Sequence, residues 1–202
     1  MASYVFFCIN SHAMPSRRFT ILLCLFTILV IAGSGAAYWW FELRYLRSFA
    51  EQTAFFDGSH LQLPPELAGP GPIRLVHFWD PDCPCNEGNQ AHLRNLTARF
   101  GDRGVEFYSV QKPGSEGKLP SMLDGRLKAL STIPGANTLP ASPAVAIWDN
   151  AGKLAYVGPY SEGMICTAGN SFIEPILEAL VSGRSVRSTN TLSVGCYCNW
   201  QG

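Results

Sequence analysis

The hydrophobic positions fall into two regimes. Residues 19–41, FTILLCLFTILVIAGSGAAYWWF, form one uncharged apolar block. At ~1.5 Å rise per residue this block is long enough to cross a hydrocarbon core about 30 Å thick as a helix. Beyond it the chain breaks into short apolar runs. IRLVHFW (73–79) is rich in strand formers and reads as a buried strand. In residues 86–100, Leu93, Leu96 and Phe100 stand at i, i+3 and i+7, which predicts a helix stopped by Gly101 and Gly104. VEFYSV (105–110) predicts a second strand, parallel to the first through a right-handed crossover. Met122, Leu123, Leu127 and Leu130 suggest another helix over 119–130. PAVAIW (143–148) and KLAYVG (153–158), joined by Asp-Asn-Ala-Gly, predict an antiparallel hairpin. Ser171 and Glu174 have capping-box spacing and open a helix with Ile173, Ile176, Leu177 and Leu180 on one face.

This pattern divides the chain into five parts. Residues 1–18 form an N-terminal segment, 19–41 a transmembrane anchor, and 42–72 a juxtamembrane helix and linker that ends in LPPELAGPGP. Residues 73–182 form the folded domain and 183–202 a polar tail ending in VGCYCNW. The expected order after the anchor is β-α-β-α-β-β-α. Arg17 and Arg18 before the span place that side in the cytoplasm, although Arg44 and Arg47 weaken the asymmetry. Gly35, Ala36 and Ala37 also suit a signal peptidase, but the apolar block is longer than an ordinary signal core, which favours an uncleaved anchor. The expected location is the inner membrane, single-pass, with the C-terminal domain in the periplasm. Met14 begins a more ordinary n-region than Met1, which makes it an alternative start, with Met1 and Met14 both left open by the sequence. N-terminal sequencing that returns Ala2 or Ser3 would contradict the Met14 start.

Composition narrows the function. The 202 residues carry 15 Lys and Arg against 15 Asp and Glu, so no basic surface is expected to collect phosphates and nucleic acid is not an expected partner. The seven cysteines matter more through their grouping. Cys8 and Cys24 lie in the apolar N-terminal part, where cysteine acts as a small hydrophobe. Cys83 and Cys85 form one C-x-C at the expected strand-to-helix turn, and Cys196 and Cys198 form a second near the end. A cysteine at a helix N-terminus meets unpaired N–H groups and the positive end of the dipole, which favours its thiolate. Cys83 is therefore the expected attacking sulfur and Cys85 the nearest resolving one.

The stretch LVHFWDPDCPC resembles the strand and redox motif of the thioredoxin superfamily, in particular its membrane-tethered bacterial envelope members. ASPAVAIWDNAGKLAYVG resembles the family's cis-proline strand and following hairpin. The resemblance implies an α/β thioredoxin-like fold, a central mixed β-sheet flanked by helices, behind one N-terminal transmembrane helix. It implies a thiol–disulfide oxidoreductase (oxidase, isomerase or reductase) acting on envelope protein thiols or disulfides, with no cofactor and no metal. It places Pro143 opposite the redox cysteines and gives His77 the position of the family's buried acid, from which it could exchange protons with Cys85. Departures are the single residue between the cysteines and Asp82, whose charge opposes a Cys83 thiolate. A Cys83–Cys85 bridge across one residue is expected to be strained and therefore oxidising.

Cys166, Cys196 and Cys198 are second redox or structural candidates. The tail pair reads either as a mobile relay or as one end of a staple, such as Cys166 to Cys196 or Cys198. Two other functions share these residues. The two C-x-C pairs, with Cys166, His77 and His92, could hold Cu(I) or Zn(II) in a metallochaperone, and the fold could serve as a noncatalytic partner-binding module. His92 is expected on the helix surface.

Overall fold

The structure, a computed structural model, describes residues 17–41, 53–161 and 169–201. Cys8, Cys166 and residues 42–52 of the expected juxtamembrane segment lie outside the described residues. The chain divides into two units, residues 1–46 and 47–202. In the first, α1 (Arg17–Phe41) is one helix long and apolar enough to cross a membrane, a property it shares with signal sequences.

The second unit contains β1 (Thr53–Asp57), β2 (Ile73–Trp79), α2 (Asn86–Phe100), β3 (Val105–Gln111), β4 (Lys128–Leu130), β5 (Ala141–Ser142), β6 (Ala144–Trp148), β7 (Leu154–Gly158), α3 (Ile173–Val181), β8 (Asn190–Val194) and β9 (Cys198–Asn199). Five of these strands form the central sheet in the order β4-β3-β2-β6-β7. β2 runs parallel to β3 and antiparallel to β6, and β6 pairs antiparallel with β7. A parallel βαβ unit followed by an antiparallel hairpin, with the Ser142–Pro143 peptide cis before β6, is the thioredoxin-like fold. Asp149 makes the hairpin turn as the sequence predicts. Its Oδ1 accepts from the N–H groups of Ala151 and Lys153, and Gly152 supplies the left-handed residue at φ +78°.

Alternation along β2 assigns its side chains to opposite faces of the sheet. Ile73 and Leu75 join Leu93, Leu96, Phe100, Ile173 and Leu177 in a core roofed by α2 and α3. Ser171 caps α3 by accepting from the N–H groups of Ile173 and Glu174. The Glu174 side chain pairs with Arg99 on α2, so the capping box is only half formed.

Val76 and Phe78 point to the other face, which no helix among the described residues covers. Their cluster includes Phe56 from β1, Leu139, and Tyr197 and Trp200 from the tail. The tail is therefore core, with Tyr197 and Trp200 each 3% exposed. Trp200 stands edge-on to Phe78 at 5.7 Å, and Tyr197 edge-on to Phe56 at 5.8 Å.

Two expectations are corrected here. The segment 119–130 forms a short 3-10 turn (Ser121–Leu123) and the edge strand β4, because Pro120 and Gly125, at φ +68°, interrupt a helix. Within the expected juxtamembrane segment, residues 53–57 form a strand that pairs antiparallel with β8, with Ala54 and Phe56 inward and Phe55 outward. Leu61 and Leu63 are also buried, so the folded unit includes part of the expected linker as well as the tail.

Truncating Trp200 to Ala should destabilise the full chain by about 3–5 kcal/mol, the ordinary cost of emptying a buried aromatic site. Phe55→Ser, on the exposed side of β1, should stay within about 0.5 kcal/mol. Urea unfolding midpoints of the two variants check the contrast.

Candidate functional site

The site begins where β2 ends. Asp80 is 6% exposed and organises the turn that follows. Its Oδ1 accepts from the Asp82 N–H at 3.1 Å, its carbonyl accepts from the Cys83 N–H at 2.9 Å, and its Oδ2 pairs with Lys112 Nζ at 3.0 Å. Helix α2 starts at Asn86 with Cys85 at its N-cap. Cys83 sits in the preceding turn, so Cys85 lies nearer the helix dipole than the expected attacking sulfur does. Asp82 is exposed to solvent.

Each of these cysteines is bonded to the tail. Cys83 is joined to Cys198 (S–S 2.09 Å, Cα–Cα 5.9 Å) and Cys85 to Cys196 (S–S 2.05 Å, Cα–Cα 5.6 Å). The Cys83–Cys85 bridge across one residue is not formed, so the strain argument for an oxidising potential has no bond to act on. Nor does Cys196 or Cys198 pair with Cys166. The expected mobile tail is instead a docked strand. β9 pairs antiparallel with β5, with Cys198 opposite Ser142, immediately before the cis Pro143. Cys83 Sγ lies 3.7 Å from the Ser142 carbonyl oxygen, a contact and not a hydrogen bond while the sulfur is in a disulfide.

Further polar contacts hold the tail. Lys112 Nζ donates to the Asn199 carbonyl at 2.9 Å as well as pairing with Asp80, so one ammonium ties the cysteine turn to the tail. Gln201 Nε2 donates to the Leu139 carbonyl, and Ser193 Oγ bonds to the Tyr197 hydroxyl at 2.9 Å. Cys83 and Cys85 are buried, whereas Cys196 and Cys198 are half-buried. Beside them a cleft of about 470 Å³ is lined by Trp79, Pro81, Cys83, Gln90, Lys118 and Met122, among others.

His77 is fully buried, with Nδ1 hydrogen-bonded to the Tyr160 hydroxyl at 2.8 Å and Nε2 without a hydrogen-bond partner. Neither nitrogen bonds to a cysteine. Burial pushes its pKa down to about 3, with the Ala144 backbone opposing in part, so the imidazole is neutral at pH 7. His92 is also buried, contrary to expectation, and its Nε2 bonds Ser171 Oγ at 2.8 Å. Burial lowers its pKa too, against the opposing influence of Glu174. Both histidines are thus committed to the helix-covered side of the sheet and take no part in the sulfur cluster.

The residues missed in the sequence are those acting over long separations. Nothing local marks Lys112, at the end of β3, as a tie between turn and tail. The clue to the cysteine pairing was the recurrence of C-x-C, since two pairs of equal spacing can bond rung by rung.

A family profile described as "Domain of unknown function (DUF6436)" matches residues 52–200, an interval that contains both C-x-C pairs and both strands of the β1–β8 ribbon. The chain belongs to this family. No curated protein matches it. Among solved structures, a hypothetical protein from Sinorhizobium meliloti 1021 is similar at TM-score 0.52 and 14% identity, over 74% of this chain and 98% of that one. An uncharacterized conserved protein from Geobacillus kaustophilus is similar at TM-score 0.51 and 18% identity, over 75% and 92%. A thioredoxin-like protein solved in its oxidized form is similar at TM-score 0.43 and 15% identity, over 68% and 93%. At these identities the likeness is one of fold alone; it is the sheet order and the cis proline before β6 that make the fold of this family member thioredoxin-like.

The buried histidines carry a stability prediction. Unfolded, His77 returns to a pKa near 6.5; folded, it binds no proton until about pH 3. The unfolded state therefore holds more protons between these values, and stability present above pH 6.5 is lost as pH falls toward 3. The loss through His77 should reach about 2 kcal/mol between pH 7 and pH 5. Urea titrations at the two pH values should show a smaller loss in His77→Phe, with His92 supplying a residual slope of the same sign. Equal losses in wild type and variant would refute the assignment.

Proposed function

We propose that this protein is a thiol–disulfide oxidoreductase acting on protein thiols or disulfides, with Cys83 as the attacking sulfur and Cys198 as its internal partner. The observation that carries the reading is the Cys83–Cys198 disulfide on a strand paired beside cis Pro143. A cysteine on an extended strand, held against the proline loop and bonded to the helix-side sulfur, has the arrangement of a mixed disulfide whose second member belongs to the same chain.

The exchange balances in two steps. In the reduced protein the Cys83 thiolate attacks one sulfur of a partner disulfide at the cleft, forming a Cys83–partner bond, and the other partner sulfur leaves as a thiolate. The Cys198 thiolate then attacks Cys83 Sγ, which re-forms the Cys83–Cys198 bond and releases the partner as a dithiol. Two electrons have passed to the partner. Run backwards, the same steps oxidise a partner dithiol, and the partner's potential sets the direction. Cys85 and Cys196 form a second pair within exchange distance, since the sulfurs of Cys83, Cys85 and Cys198 all lie within 4.8 Å of one another. In this reading Pro143 shapes the loop that receives the strand. His77 is a neutral buried neighbour with one unpaired ring nitrogen and no direct bond to sulfur. The α1 helix anchors the protein in the inner membrane, and the domain works on envelope proteins from the periplasmic side.

The test is a trap. A Cys85→Ser, Cys198→Ser variant leaves Cys83 without its bonded partner and without its nearest neighbour. Expressed in the native envelope, it should accumulate reductant-sensitive adducts on Cys83 that vanish in a further Cys83→Ser variant. If non-reducing gels show no adduct dependent on Cys83, the oxidoreductase reading fails and a noncatalytic binding module takes its place.

A further inference from the structure

The four cysteines of the two C-x-C pairs converge from opposite ends of the folded unit. Sulfurs of Cys83, Cys85 and Cys198 lie mutually within 4.8 Å, and Cys196 Sγ is bonded to Cys85 Sγ at 2.05 Å. We infer that the reduced protein binds one Zn(II) ion through Cys83, Cys85, Cys196 and Cys198, in a closed tetrahedral thiolate site that alternates with the double disulfide. The inference rests on this convergence and not on the oxidoreductase reading.

Three physical arguments carry it. First, the two halves of the site are held by something other than the S–S bonds. Tyr197, between the tail cysteines, and Trp200, just beyond them, are core side chains, and β9 is paired to β5. Reduction removes two covalent bonds but leaves these anchors, so the four thiols remain neighbours. Second, the distances suit the ion. Zn–S bonds of about 2.3 Å put tetrahedral sulfurs roughly 3.8 Å apart. The separations from Cys85 to Cys83 and Cys198 are at most 4.8 Å and need to close by no more than about 1 Å, whereas Cys83 and Cys198 start from a 2.09 Å bond and must move apart. The bonded pairs must open, and the half-buried tail side can give way. Third, the surroundings suit thiolates. Cys85 caps α2, whose first amides favour negative charge, and the Lys112 ammonium holds the Asn199 carbonyl in the tail. The Ser142 hydroxyl, opposite Cys198 in the strand pair, is buried without a hydrogen-bond partner and is available to donate to a sulfur. With four sulfurs in reach and both histidines committed elsewhere, the donor set is all thiolate. That set suits Zn(II) and supplies no open position for a substrate.

The chemistry closes. Two molecules of a small dithiol transfer four electrons and four protons to the two disulfides and leave as disulfides themselves, giving four thiols. Binding of Zn(II) then releases four protons, and oxidation by a disulfide compound reverses the sequence and frees the ion.

The experiment uses the full chain in detergent, reduced with excess dithiol and freed of it anaerobically. Titration with Co(II) should saturate at one equivalent with the intense visible bands of tetrahedral cobalt thiolate, bleached by one equivalent of Zn(II). A Cys196→Ser, Cys198→Ser variant should weaken Co(II) binding at least about a hundredfold, beyond the range caused by losing an outer-shell partner. Cys166→Ser should leave the spectrum unchanged. Alkylation of the wild type read by peptide mass spectrometry gives a second measurement that does not depend on the folding of the double variant. One equivalent of Zn(II) should protect all four named cysteines together. A weak octahedral cobalt spectrum, a tetrahedral spectrum that survives in the double variant, or protection that omits the tail pair would each overturn the site.

Discussion

The arrangement of the sulfur chemistry depends on the burial of Tyr197 and Trp200 against Phe56 and Phe78. The face of the sheet opposite α2 and α3 carries Val76, Phe78, Tyr108 and Val110, a large apolar surface that no helix among the described residues covers. The β1–β8 ribbon, the 133–141 loop and the last residues of the tail cover it together. Burying two aromatic side chains is worth several kcal/mol and draws the tail to the sheet independently of the sulfur bonds. The disulfides therefore lie across an interface that is also a packed apolar contact.

The packing also determines what the cysteines can do. A C-x-C next to a helix start, considered alone, invites a bridge between its own two members. Here Cys83 meets Cys198 on β9 opposite Ser142, Cys85 meets Cys196 two residues earlier in the tail, and the bonds run across the interface. The Asp80–Lys112–Asn199 chain reinforces the same contact with an ion pair whose carboxylate is almost fully buried, a setting in which charge is screened less than at the surface. Turn, proline loop and tail thus act as one unit.

Much of this was legible from local pattern. β2 and α2 fall where residues 73–79 and 86–100 predict them, because a continuous run of strand formers and an i, i+3, i+7 spacing are strong, short-range signals. The hairpin and the Ser171 cap were readable for the same reason. The unread parts share one cause. β1 and β8 are five residues each, and every pairing they make spans most of the domain, so neither has a local signature that beats a helix or a polar tail. His92 looked like a surface residue because its burial comes from Ser171 and Tyr160, which reach it only after folding. The cysteine pairing was ambiguous because the five sulfurs of the folded part allow many connectivities, and the register of β9 on β5, which sets Cys198 beside Ser142 and Cys83, depends on contacts between distant parts of the chain.

The nesting of the two bridges has a consequence for the order in which the chain is made. Cys83 and Cys85 precede their partners by 115 and 111 residues, and those partners stand among the last seven residues of the sequence. At about 5–20 residues per second, ribosomes expose the first pair roughly 5–20 s before the second exists. For that interval the newborn chain carries two vicinal thiols with no legitimate mate, and any passing oxidant meets them first.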